Sequence, residues 1–384
     1  MAARSVFEVI AFVVGLILVV GTAGSLFRTL VLPRAVSSRL SVFVGRRIVL
    51  TNVIRISRLV ESYEVKDKIL AFAAPMALLA LLVTWLTLFF LGFALILWPL
   101  TGGTIGQALR ESGSSMLTLG FAGQDRAGPT VVYFVAAATG LIVVALQIAY
   151  LPTLYQAFNK RETLVTMLQS RAGAPAWGPE ILGRAHMVGI IEELRHLYAE
   201  WERWTAEVME SHTTYTVLIW FRSPHPLRSW VLALLAVLDS AALYLAFAPT
   251  SAPGEARLCL RMGFTCLRNI ADVLRIPYDP DPFPDDPTEL TYEQFVGGVN
   301  RLREIGFPME RTPEEAWPHF QGWRINYEHI AYTLADAVVA PPGPWSGPRS
   351  HLPGLTIVPQ RPPNRSPDDR QEERPKAARF GWHA

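Results

Sequence analysis

Residues 106–125 read GQALRESGSSMLTLGFAGQD, and this stretch decides how the rest of the chain is interpreted. It lies between two segments without Asp, Glu, Lys or Arg, residues 69–109 and 128–159. It ends in TLGFAG, residues 118–123, which is short and rich in glycine. An apolar helix, a short polar helix, a glycine-rich strand and a second apolar helix, in that order, predict a loop that enters a membrane and returns to the same side.

The composition indicates that part of the chain lies in lipid. Of its 384 residues, 51% are hydrophobic and 18% are charged, whereas soluble domains carry roughly 25% charged residues. The net charge of +2 favours no nucleic-acid partner. The two cysteines, Cys259 and Cys266, lie on one face of a predicted helix and are expected to be buried free thiols.

Three apolar segments are long enough to cross a bilayer, which needs about 20 helical residues. They are residues 6–32, 69–97 and 130–159. A cleaved signal peptide is the alternative for the first, but its apolar core would be only about 7–15 residues long. The first segment is therefore assigned as a transmembrane helix, forming an N-terminal unit of residues 1–32.

Positive charges set the expected topology. The segment 33–68 is basic, and Lys160 and Arg161 follow the third apolar segment directly. Because basic loops stay on the cytoplasmic side, the N-terminus and the loop 100–129 are predicted outside, and the C-terminal domain inside, of a multi-pass plasma-membrane protein. Segment 33–68 also carries recurring apolar residues, so it is predicted to be a basic helix on the cytoplasmic membrane surface that contacts lipids; a solvated linker helix is the alternative.

The TLGFAG string resembles the selectivity filter of the potassium-channel superfamily, which reads Thr-x-Gly-Tyr/Phe-Gly. The resemblance covers residues 69–160, and the string YLPTLYQAFNKRE, residues 150–162 at its end, is similar to bacterial proteins labelled ion-channel or two-pore-domain potassium-channel proteins. It implies a pore helix over 105–116. The implied ion-conducting filter is Thr118, Leu119, Gly120, Phe121 and Ala122, with Gly123 and Asp125 at the pore mouth.

The resemblance also implies roles for individual filter residues. Backbone carbonyls would replace the hydration shell of the ion, Gly120 would take left-handed backbone angles, and Phe121 would brace the filter from behind. Two positions depart from the family pattern. Ala122 replaces the last glycine, where left-handed angles would cost on the order of 1 kcal/mol, and the acidic residue is displaced to Asp125.

One pore loop supplies one quarter of a filter, so the implied assembly is a homotetramer around a potassium-conducting axis. The expected function is a passive cation channel that needs no cofactor and is gated through its cytoplasmic domain. The alternative is a non-conducting membrane-anchored sensor or scaffold with a degenerate pore loop. No nucleophile motif, phosphate-binding loop or paired carboxylates indicate an enzyme.

The C-terminal half predicts an all-α cytoplasmic domain over residues 161–340. Apolar residues spaced by three and four over 181–208 predict one amphipathic helix, and further helices are expected at 255–275, 292–305 and 313–339. The apolar run 229–248 contains Asp239 and is either a buried core helix or a fourth membrane span. Residues 341–384 are rich in Pro, Arg and Ser and are predicted to be disordered.

The fold class that follows is an all-α membrane protein. It has three transmembrane helices with a re-entrant pore helix and filter in the pore domain 69–160, and a cytoplasmic all-α domain. No metal site is assigned. Glu192 and His196 share a helix face but have no third ligand, and the acidic loop YDPDPFPDDP at 278–287 lacks the spacing of a calcium loop.

Overall fold

The computed structural model describes residues 2–32, 38–350, 352 and 354–360. Apart from an antiparallel bridge between Ala174 and Gln360, the regular structure in these ranges is helical. The first seven helices are α1 (Ala2–Leu30), α2 (Arg39–Val42), α3 (Thr51–Ser57), α4 (Tyr63–Ala71), α5 (Ala73–Thr101), α6 (Ile105–Met116) and α7 (Ala127–Ala172). The other seven are α8 (Gly178–Met187), α9 (Leu194–Thr214), α10 (Trp230–Phe247), α11 (Gly254–Leu274), α12 (Tyr292–Ile305), α13 (Pro313–Arg324) and α14 (Glu328–Ala337).

Four segments of the described chain are long and apolar enough to cross a membrane. They are Val6–Leu30, Tyr63–Thr101, Ala127–Ala172 and Trp230–Phe247. The first three expose much of their apolar surface, as helices surrounded by lipid do, whereas the fourth is entirely buried. The fold is thus that of an all-α membrane protein, as the composition predicts.

Helices α1 and α5 run antiparallel and approach closely. Trp85 Nε1 donates a hydrogen bond of 3.1 Å to Ser25 Oγ at one end of the contact. Toward the other end, a Cβ atom added to Gly15 would lie 2.7 Å from the Gly92 carbonyl oxygen. Two facing glycines let helix backbones meet, which is how membrane helices associate without a hydrophobic driving force.

The basic segment is folded into several short helices rather than the single helix expected. Residues Phe43–Leu50 form a π-helical stretch between α2 and α3; residues 33–37 lie outside the described residues. Val44, Val49, Leu50 and Val53 are buried against the protein. The outer face exposes Arg39, Arg47, Arg55 and Arg58 beside Val42, Phe43, Ile48 and Ile56, so the amphipathic character predicted from the sequence is confirmed.

Helix α10 forms the centre of the C-terminal domain. Every one of its residues is buried, and α8, α9, α11, α13 and α14 pack around it. Asp239 within it accepts hydrogen bonds from Tyr327 Oη, at 2.9 Å, and from the fully buried Arg324. Because protein encloses this helix and an arginine pairs with its carboxylate, its placement is that of a core helix; a lipid-facing span would expose one side.

Most helix ends in the C-terminal domain follow the local sequence signals. Thr291 with Gln294, and Thr312 with Glu315, form reciprocal capping boxes, and Gly306 ends α12 with a φ of 79°. The predicted helix over 181–208 is broken, because Gly189 has a φ of 71° and the chain turns before α9 begins. Cys259 and Cys266 are buried and free, as expected.

The prediction that disorder begins at residue 341 is wrong. Trp345 is 8% exposed and packs against Phe295, Phe320 and the domain core. The buried Arg349 donates hydrogen bonds to the carbonyls of Ala340 and Pro341, which hold this proline-rich stretch in place. A prediction from composition averages the disorder tendency over the whole segment and does not detect that two side chains anchor its first ten residues. Residues 361–384 lie outside the described part of the chain.

Candidate functional site

Helix α6 begins immediately after a sharp reversal of the chain. Gly102 ends α5 with left-handed angles, at a φ of 69°. The Thr104 hydroxyl then accepts from the Gln107 amide at 3.3 Å, while the Gln107 side chain accepts from the Thr104 amide at 2.9 Å. This capping box starts a helix over Ile105–Met116, the bounds predicted for the pore helix, and α6 runs back between α5 and α7.

The far end of α6 lies well inside the two long helices beside it, about 16–20 Å from their nearer ends. Ser112 Oγ donates a hydrogen bond of 2.8 Å to the Phe90 carbonyl of α5, about 16 Å from the end of that helix at 1.5 Å per residue. The Met116 carbonyl oxygen lies 2.1 Å from the position that a Cβ at Gly140 would take in α7. Gly140 is about 20 Å from the start of α7, so only a glycine there permits this close contact.

The main-chain N–H groups that follow α6 are directed back at its C-terminal end. Ser114 lies at the centre of this arrangement and is buried. Its carbonyl oxygen and hydroxyl, with the Ser115 carbonyl, accept from four amides of the TLGFAG segment. The bonds are Thr118 N to Ser115 O at 2.9 Å, Leu119 N and Gly120 N to Ser114 O at 2.8 and 3.2 Å, and Ala122 N to Ser114 Oγ at 3.0 Å.

The carbonyl groups of the same segment, unlike most of its amides, take part in no hydrogen bond with the described residues. Within the described part of the chain, no hydrogen bond is accepted by the main-chain oxygens of residues 118–123. Thr118 and Gly120 have left-handed backbone angles, with φ of 56° and 70°, on either side of Leu119. The segment therefore has four of its six amides occupied and its carbonyls free, which suits the coordination of a cation better than that of an anion.

The backbone at Ala122 and the side chain of Phe121 differ, in the single chain, from what the filter resemblance implies for the assembly. Ala122 does not take left-handed angles; the strained non-glycine position is Thr118. Phe121 does not pack behind the segment, because it is 61% exposed with the Arg110 guanidinium 6.0 Å from its ring centroid. Leu119 is similarly exposed, at 60%, so the outer side of the segment is uncovered.

The predicted pore-mouth residues lie on the loop between this segment and α7. Gly123 sits beside the Tyr133 ring, which is 3.5 Å from the position of an added Cβ. Asp125 is exposed. Between them, Gln124 reaches the buried carboxylate of Glu111 at 3.4 Å. Neither Glu111 nor Ser114 was expected from the sequence to contact this loop, although both lie on the face of α6 that meets it.

At the opposite end of the apolar helices, residues 215–222, here termed the junction segment, pack against α5 and α7. Leu218 and Phe221 are buried with Ala74 and Leu78 of α5 and Leu154 of α7. Arg161 of α7, 1% exposed, donates to the Leu218 carbonyl at 2.8 Å and to the Phe221 carbonyl at 2.7 Å. The junction segment thus fastens the C-terminal domain to both apolar helices at once.

A second set of bonds fastens the junction segment to the start of the α4–α5 region. Arg222, whose side chain is 10% exposed, donates to Asp67 Oδ1 at 2.5 Å, to Tyr63 Oη at 2.9 Å and to the Val338 carbonyl at 2.6 Å. Helix α4, the junction segment and the end of α14 therefore meet at one guanidinium. These bonds therefore couple the C-terminal domain to α4, beside the direct contacts of the junction segment with α5.

Among the residues that the structure describes, no group of three or more His, Cys, Asp and Glu side chains is placed to hold a metal ion. Glu192 and His196 lie on the exposed outer surface near α9. The acidic loop after α11 is also exposed, with Asp279 bonded to the amide of Asp281. No protein-family model, curated protein or solved structure matches this chain.

Proposed function

We propose that this chain is one subunit of a homotetrameric channel that conducts cations passively, with potassium as the permeant ion. The observation that carries the proposal is the state of the backbone at residues 118–122. Four of its five amides donate to the end of α6, its carbonyls have no partner among the described residues, and it lies between α5 and α7 about 16–20 Å from their nearer ends.

Unpaired carbonyl groups in this position are stable only where they coordinate ions or water. Non-helical backbone at membrane depth is tolerated only where protein covers it or where it lines a water-filled cavity, because each unsatisfied polar group costs several kcal/mol in lipid. Here Leu119, Gly120 and Phe121 are exposed in the single chain. Carbonyl groups from several chains, brought together around an axis, would coordinate dehydrated cations in single file.

The assembly follows from the number of pore loops. One chain supplies one segment, and a filter of backbone carbonyls needs four. The exposed Leu119 and Phe121 side chains would then be covered by neighbouring copies. The partially negative C-terminal end of α6 would face the axis from each subunit, which favours a cation at the inner end of the filter.

The junction segment supports control of conduction by the C-terminal domain. It contacts the start of α5 at Ala74 and Leu78, and α7 around Leu154, on the side away from residues 118–122. In the proposed topology these are the cytoplasmic ends of the apolar spans, with the N-terminus outside, and the inner end of the third span is the gate. Movement of the domain is transmitted to α7 through Arg161 and its two bonds to the junction segment.

The proposed membrane placement gives the basic segment a partner. Exposed arginines and apolar side chains share the outer face of residues 38–58. Long arginine side chains extend toward headgroups while apolar neighbours enter the acyl boundary. Anionic lipids of the cytoplasmic leaflet of the plasma membrane are the proposed contact.

The proposal is tested by flux from liposomes containing the purified protein. We expect potassium efflux, and a slower sodium efflux under the same gradient. No flux of either ion at any voltage or pH tested would overturn it and favour the alternative, a non-conducting membrane-anchored sensor or scaffold that keeps a degenerate pore loop. Subunit counting by cross-linking in detergent separates the two further, because a monomer or dimer cannot close a filter.

A further inference from the structure

Glu111 is a buried carboxylate on the short helix α6. Its residue is 6% exposed, although it lies beside the exposed Arg110. A carboxylate held in a region of low water content is costly unless hydrogen bonds satisfy its oxygens. The groups that bond to the two oxygens of Glu111 therefore determine how a carboxylate is accommodated there.

Both oxygens of Glu111 have a donor, and the donors come from different elements. Tyr133 Oη, on α7, donates to Oε2 at 2.8 Å. Gln124 Nε2, on the loop after the TLGFAG segment, donates to Oε1 at 3.4 Å. An ionised carboxylate is the side chain that accepts at two oxygens without presenting a donor of its own, so it suits this position better than an amide.

The contact joins the outer end of the segment to its rigid surroundings. Tyr133 also packs beside Gly123, with its ring 3.5 Å from the position of an added Cβ. On the inner side, Ser114 Oγ accepts from the Ala122 amide at 3.0 Å. Residues 122–124 are thus held by Ser114 and Glu111 of α6 and by Tyr133 of α7, while the carbonyls of the segment remain free.

We infer that Glu111 is a positioning residue that sets the spacing of the carbonyls at residues 118–122 and thereby the selectivity among cations. The inference rests on the proposed function. A filter distinguishes potassium from sodium only while its carbonyl dipoles hold a suitable arrangement. Loss of the Glu111 bonds would free the loop at Gln124 and let the outer carbonyls adapt to the smaller ion.

The test compares Glu111→Gln, Tyr133→Phe and the double variant with the wild type. The Glu111→Gln change keeps the volume of the side chain but removes the charge that strengthens both hydrogen bonds; Tyr133→Phe removes only the hydroxyl. Arg126→Gln is the matched control, because it removes an exposed charge at the start of α7. Each protein is measured as the full chain by the potassium-to-sodium flux ratio in liposomes and by hydrogen exchange of residues 117–125 in micelles.

We expect each single variant to lower the flux ratio and to speed exchange in the segment about tenfold, the effect of losing one charge-assisted hydrogen bond. The double variant should add little, because both changes remove the same contact, and Arg126→Gln should change neither readout. A flux ratio in Glu111→Gln equal to that of the wild type would overturn the inference. A wild type that conducts neither ion would overturn the proposed function, and unchanged exchange in Glu111→Gln would then also overturn the bracing role of Glu111.

Discussion

At the scale of single residues, the Arg161 guanidinium is closely surrounded by partners. It is 1% exposed and has Glu162, His212 and two junction-segment carbonyls around it. Since an arginine only donates, His212 Nε2, 3.0 Å away, must accept and the ring must be neutral. Burial first, and the Arg161 charge second, lower the pKa of His212 well below its usual value.

This arrangement predicts a loss of stability in mild acid. Below pH 6.5 the unfolded chain protonates His212 while the folded chain cannot, so the free energy of unfolding falls as pH drops, by up to about 1.4 kcal/mol per pH unit. Thermal melting between pH 8 and pH 5.5 should show a steeper fall for the wild type than for His212→Gln. His196→Gln removes an exposed histidine and should keep the wild-type slope; equal slopes in all three proteins would contradict the prediction.

The backbone angles of single residues in the segment 118–122 could be predicted from the sequence only in part. Glycine is the residue that adopts left-handed angles without strain, so the conformation of Gly120 could be predicted. The left-handed angles of Thr118 and the ordinary angles of Ala122 could not. They depend on which α6 acceptors the amides reach, and the bonds from Leu119 and Ala122 to Ser114 are three-dimensional contacts without a pattern in the sequence.

At the scale of elements, the crossing of α1 and α5 depends on glycine. A Cβ atom at Gly15 would lie 2.7 Å from the Gly92 oxygen, whereas one at Gly21 of the same helix would meet nothing within 4 Å. Backbones at such a distance leave no room for a side chain, so α1 would have to separate from α5.

Gly15→Leu should therefore destabilise the membrane helices, by the roughly 1–3 kcal/mol that overpacking costs. Gly21→Leu adds the same side chain to the same helix at an open position and should have little effect. The temperature at which each variant loses its elution peak in detergent measures the difference. Equal stability of the two variants would contradict the assigned crossing.

Elements were the most predictable level of the structure. The apolar spans, helix α6 and the capping boxes at Thr291 and Thr312 follow from local hydropathy and capping chemistry. The core position of α10 depends on Arg324, which is distant in sequence from Asp239. Likewise, the order after residue 341 depends on Trp345 reaching the core, and a compositional argument does not detect such a contact.

At the scale of the whole molecule, the junction segment links the C-terminal domain to the apolar helices. Leu218 is completely buried where α5, α7 and the domain meet. Leu218→Ala would leave a cavity at this contact, at a cost of about 2–5 kcal/mol. Residues 118–122 lie far from this contact along both helices, so under the proposed function the change should act on gating and leave the carbonyl arrangement intact.

We therefore expect Leu218→Ala to change the fraction of time the channel is open and to leave the potassium-to-sodium ratio unchanged. Single-channel recording in planar bilayers measures both quantities. Leu258→Ala, at a position that is 51% exposed on α11, is the control and should behave as the wild type. A changed ion ratio with unchanged opening would contradict the role given to the junction segment.

The central claim is that ions pass along the backbone of residues 118–122, and one pair of substitutions tests it most directly. Gly120 and Gly102 have nearly the same left-handed angles, with φ of 70° and 69°, but only Gly120 lies in the segment. Valine is strained at both. Potassium efflux from liposomes should be abolished by Gly120→Val and should persist in folded Gly102→Val protein. Efflux that survives Gly120→Val at the wild-type rate would contradict the claim.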